Sequence, residues 1–168
     1  MAKKINFKVG DKIVDSGQVS RIFKIKKQKN DDGELERVVY FKPYYPNTKN
    51  SGVICSIPLK NIEKTEIRKP LSTDEVKRLF RKLKKRKKFE ENTDINKTKE
   101  LLKGNDPVTN VDLIRILWIE KKHNAEYFSK NKRDVYNLAI DRFAQEFALV
   151  KGLSLEKAKE RVHLALQD

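Results

Sequence analysis

Apolar and polar residues alternate in short runs over the first seventy positions, and from there on apolar residues recur every three or four positions. That pattern predicts a β half followed by an α half. Lys12 to Val14, Val19 to Lys27, Arg37 to Lys42 and Val53 to Ile57 read as strands, with Glu66 to Arg68 as a short fifth. Between the second and third runs, Asn30-Asp31-Asp32-Gly33 has hairpin chemistry, because Gly33 can take a positive φ. Pro43 to Gly52 (PYYPNTKNSG) is a longer, turn-rich excursion. Its paired tyrosines either cover one end of the β-domain or stand in solvent, and core cover is the expectation.

At Leu71 the period changes. Ser72 and Glu75 have capping-box spacing, which satisfies orphan backbone donors at a helix start. Val76, Leu79, Phe80 and Leu83 then mark a narrow apolar stripe, and nine of the twelve residues from Lys77 to Lys88 are basic and cover the rest of the circumference. A second short helix is expected near Asp94 to Lys103, and Gly104-Asn105-Asp106-Pro107 stops it. Thr109 or Asn110 is the expected cap of a third, from Val111 to about His123, whose apolar middle LIRILWI, including Trp118, is expected to be core. Ser129 caps a fourth, with Val135, Leu138, Ala139, Phe143 and Phe147 on its inward side, and Ser154 caps a fifth. The expected fold class is therefore α+β in two small domains, residues 1–70 and 71–168, the second an all-α bundle of about five helices.

Composition adds a sign to this outline. Apolar and charged types each make up 38% of the 168 residues, enough for a core beneath a heavily charged surface. The net charge is +15, which makes a polyanion the first partner to consider. Residues 1–70 carry 16 basic and 8 acidic side chains, 71–104 carry 12 and 6, and 105–168 carry 11 and 10. The positive field therefore sits on the β half and the first helices, where a phosphate backbone would dock.

Catalytic chemistry is not called for. There is no phosphate-cradling glycine loop, no nucleophile elbow and no His, Ser and Asp set at a recognisable spacing. His123 and His163 stand forty residues apart, so no metal or cofactor is expected. The lone Cys55 reads as a strand-face thiol. Residues 1–10 lack the apolar run of a signal peptide and no stretch approaches a membrane span, so a cytoplasmic protein without membrane contact is expected. A monomer is expected too and, with nucleic acid as the partner, nucleoid association.

Several motifs in order resemble those of the CarD/CdnL-type bacterial transcription regulators, whose N-terminal domain is shared with the transcription-repair coupling factor. Phe7-Lys8-Val9-Gly10-Asp11-Lys12-Ile13-Val14 is similar to the family's opening FKVGDxVV. The Gly33 hairpin, the strand Val38 to Phe41, Val53-Ile54-Cys55-Ser56-Ile57-Pro58 and Ile67-Arg68-Lys69-Pro70-Leu71 follow. In the α half, Arg115-Ile116-Leu117-Trp118, Phe128-Ser129-Lys130-Asn131-Lys132-Arg133 and Leu153-Ser154-Leu155-Glu156-Lys157-Ala158 resemble family segments. The match covers nearly the whole chain.

The resemblance implies a Tudor-like β-domain that binds the RNA polymerase β-subunit lobe by strand-edge pairing, and a helical domain that contacts promoter DNA at the upstream fork of the melted bubble. The family's pairing edge corresponds to Ile25 to Lys29 and Val53 to Ile57, which implies polymerase contacts at Lys27, Gln28, Lys29, Val53, Ile54 and Ser56. Gln28 and Ser56 fall at or near positions where some members use arginine, and Lys27 and Lys29 stand ready to substitute for one of them. DNA contacts are implied at Lys84, Lys85, Arg86, Lys87 and Lys88. Phe89 is nearest the family's tryptophan wedge, and Asn96 falls at its downstream asparagine. Phe89 is open to two readings, a wedge into a minor-groove step or a ring that closes the first helix against the bundle. The rival function is a general nucleic-acid-binding protein, nucleoid- or ribosome-associated, for which the basic charge is the whole account.

Overall fold

A computed structural model describes residues 6–168, and the chain splits after Pro70 into two compact units, 1–70 and 71–168. The architecture is α+β, an antiparallel four-stranded sheet followed by helices. The sheet has the order β1 (Lys12–Asp15), β2 (Gln18–Lys29), β3 (Leu35–Pro43), β4 (Cys55–Pro58). Phe7, Ile13, Ile22, Val39, Phe41, Ile62 and Ile67 form its core, with Ile25, Cys55, Ile57 and Leu59 partly buried against it.

The two hairpins are made differently. Between β1 and β2, Asp15 pairs with Gln18, leaving a two-residue loop in which Ser16 and Gly17 both have positive φ (50° and 76°). That geometry matches the right-handed twist of the flanking strands. Between β2 and β3, the Asn30 side-chain oxygen accepts from the backbone N–H of Asp32 and of Glu34 (3.1 and 2.9 Å), and Gly33 takes φ 79°. The register slips between Ile22 and Lys24, so Phe23 sits at a β-bulge.

The β half departs from its expected form at four places. The fourth strand begins at Cys55, so Val53 and Ile54 lie outside it and are 43% and 61% exposed. The expected fifth strand is a single bridge, in which Val14 and Arg68 exchange backbone hydrogen bonds of 2.8 and 3.1 Å. A one-turn helix, α1 (Leu59–Ile62), follows β4 and seats Ile62 in the core. Of the paired tyrosines, Tyr45 is partly buried and Tyr44 is not core cover. Tyr44 and Tyr45 pack edge to face at 4.9 Å, with Tyr44 40% exposed beneath the Lys12 ammonium.

The second unit contains α2 (Thr73–Lys84), α3 (Ile95–Lys103), α4 (Pro107–His123), α5 (Lys130–Lys151) and α6 (Leu155–Gln167), with a 3-10 turn at Ala125–Tyr127. Ser72 and Glu75 close a full capping box, and Ser129 and Ser154 cap α5 and α6. The buried residues of α5 include Tyr136, Ala139, Ile140, Phe143, Ala144 and Phe147, and it touches α2, α3, α4 and α6. Leu138, expected inward, is 44% exposed, because Tyr136 and Ile140 fill the core beside Ala139.

Two further corrections bear on the site. α4 begins four residues earlier than expected, because Asp106 accepts from the N–H groups of Val108 and Thr109, and Pro107 suits the first helical position, where its missing N–H is no loss. α2 ends at Lys84, so the basic run does not continue as a helix. Its stripe of Val76, Leu79 and Leu83 would next fall at Arg86 or Lys87, which leaves nothing apolar to bury, and five successive cations repel one another on a helix.

A cationic linker and two open strand edges

Lys85 to Asp94 forms an extended linker between α2 and α3 and is fastened to α4 at four points. Arg115 donates to the Lys85 carbonyl at 2.9 Å. The Phe89 ring stacks on His123, with centroids 5.1 Å apart. Asn124 donates to the Asn92 side-chain oxygen at 2.9 Å. Glu120 closes the far end, where its Oε2 accepts from both the N–H and the hydroxyl of Thr93 (3.0 and 2.6 Å) and its Oε1 accepts from Lys132. Burial alone would push the Glu120 pKa up, but the hydrogen bonds from Lys132 and Thr93 outweigh it and hold the carboxyl below its ordinary value.

This anchoring presents Lys84, Lys85, Arg86, Lys87 and Lys88 as five consecutive exposed cations. Lys84 pairs with Asp168 at 2.8 Å; the pair is exposed on both sides and contributes little. Asn96 is exposed in the first turn of α3, just past the Asp94 cap. Phe89 is partly buried. It lines a hollow of about 430 Å³ with Ile116 and Ile119, where Lys87, Lys88 and Lys97 are matched in number by Glu90, Glu91 and Asp94, so the charge around the ring is balanced. Phe89→Ala should cost about 2 kcal/mol, roughly half the loss for a fully buried phenyl, as a modest drop in the thermal midpoint.

Trp118 corrects a second expectation. Leu113, Ile114 and Leu117 are buried, but Ile116, Trp118 and Ile119 remain partly exposed on the side of α4 that faces the linker. Apolar residues all round a helix signal burial on every side only when helices surround it. Here one neighbour is a ten-residue extended segment, and a local pattern carries no sign of that.

In the β unit, β1 pairs with β2 only from Gln18 to Arg21. Among the described residues, the part of β2 from Lys24 onward has ladder partners on β3 alone, and β4 likewise has ladder partners on β3 alone. Lys27 and Lys29 are exposed on the first of these open edges, while Gln28 is partly buried and accepts from the Tyr40 hydroxyl at 2.9 Å. Ser56 is exposed on the second, preceded by Val53 and Ile54. The two sets expected to share one pairing edge therefore lie on either side of β3.

Among the described residues there is no group of three or more His, Cys, Asp or Glu side chains placed to hold a metal, and no helix is long and apolar enough to cross a membrane. No protein-family model and no curated protein matches the chain.

Proposed function

We propose that this chain is a non-enzymatic, CarD-like transcription regulator. On this reading its first unit is a Tudor-like module that binds the RNA polymerase β subunit, and its second engages promoter DNA at the upstream fork of the bubble. The observation that carries the polymerase half is the exposed apolar pair Val53 and Ile54 leading directly into the open edge of β4. An unpaired edge offers backbone donors and acceptors, and flanking side chains supply selectivity. The Val14 to Arg68 bridge adds a partner to the outer edge of β1, which is compatible with a Tudor-like module. Lys27 and Lys29, beyond β3, then serve as a separate basic patch.

The linker cations supply the DNA half. Contacts made only to the melted junction shift closed and open promoter populations toward open, whereas equal contact with both would shift nothing. The rival, a general nucleic-acid-binding protein, draws on the same five exposed cations but needs no protein partner.

Pull-down of polymerase after nuclease treatment separates the two. The regulator retains the β subunit, and the double variant Val53→Asp, Ile54→Asp loses it while folding normally, since both side chains are exposed. Open-complex lifetime on a reconstituted promoter should lengthen with the wild-type protein and not with that variant. Loss of every protein partner after nuclease would favour the rival.

A further inference from the structure

Whereas the hollow that holds Phe89 is balanced in charge, a second hollow along the linker is strongly cationic. It encloses about 500 Å³ between the end of α2, the linker, α4 and the end of α6, and Trp118 forms part of its wall. Lys84, Lys85, Arg86, Lys87 and Lys122 stand around it as exposed cations, and the one acidic side chain in its wall, Asp168, is paired with Lys84. Arg115, whose side chain is only 12% exposed, is occupied with the Lys85 carbonyl and Asp112 and holds the linker in place.

An aromatic side chain among exposed cations suits a ligand that is flat at one end and anionic at the other. A duplex hides the faces of its bases inside the stack, whereas a single strand presents them, and stacking on an aromatic side chain tolerates any base. We propose that the Trp118 hollow takes an unpaired nucleobase of a single strand, with Lys85, Arg86 and Lys122 on the flanking phosphates. This rests on the nucleic-acid half of the reading above and adds that the recognised form is single-stranded. It assigns the stacking role to Trp118 and leaves Phe89 as a ring that anchors the linker.

Trp118 is the sole tryptophan of the chain, so its fluorescence reports on this hollow alone. Titrating the full chain with an oligothymidylate of about eight nucleotides should quench that fluorescence, with far weaker quenching by a duplex of the same length or by thymidine monophosphate. Trp118→Ala should weaken binding of a labelled oligonucleotide about 5- to 150-fold by anisotropy, and Trp118→Phe should restore part of it. Tyr127→Ala, which removes an exposed aromatic ring outside the hollow, should leave the wild-type quenching in place. Equal quenching by duplex and single strand, or none by either, would overturn the proposal. Monophosphate quenching as tight as the oligomer's would overturn the strand and make the hollow a free-nucleotide site. Polymerase retention is scored separately, so a failed titration with the β subunit still bound sinks only the Trp118 assignment.

Discussion

Glu120→Ala should destabilise the protein by about 3–5 kcal/mol, the range found when one partner of a buried ion pair is removed. Its carboxylate side chain is 3% exposed and its partner Lys132 12%. Truncation strands that ammonium and leaves both Thr93 donors without their acceptor. Denaturant unfolding measures the loss, and amide exchange at Thr93 should rise with it as the linker comes away from α4. The pH dependence has a definite sign. Because the folded-state pKa is lowered from 4.5, the stabilisation is fully present above that value and is lost as pH falls through the lower folded value. Glu120→Gln, which cannot titrate, should lack this part of the acid-induced loss. A Glu120→Ala protein within about 1 kcal/mol of wild type would show that the linker is held by other contacts.

Neutralising Lys84, Lys85, Arg86 and Lys87 together, each to glutamine, should remove most duplex affinity at moderate salt while the fold persists. Each phosphate neutralised contributes about 0.9 to the slope of log affinity against log salt, so three to four lost contacts lower the slope by about 3. Stability should change little, since all four side chains are exposed and the linker is fastened through the Lys85 carbonyl, Phe89, Asn92 and Thr93 instead. An unchanged slope would make the run a solvated surface and place any DNA contact elsewhere. The two experiments separate presentation from contact: the first releases the linker from α4, and the second leaves it in place without charge.

What could be read from the amino-acid order alone was whatever depends on neighbours within about four residues. Ser72 with Glu75, Ser129 and Ser154 cap helices wherever the chain places them, because a cap bonds to its own first turn. Asn30 to Gly33 makes a hairpin by the same local chemistry, and the change from alternation to helical spacing was enough for an α+β chain with the sheet first. The outward face of α4 needed the fold. Whether Trp118 is covered depends on a linker some thirty residues upstream, fastened there by Arg115 to Lys85 and Glu120 to Thr93. Only the strand order shows that β3 stands between Lys27 to Lys29 and Ser56, since strands close in sequence need not share an edge. Periodicity says how much apolar surface an element carries, and tertiary packing decides which part of it meets water, because burial depends on what the rest of the chain brings alongside.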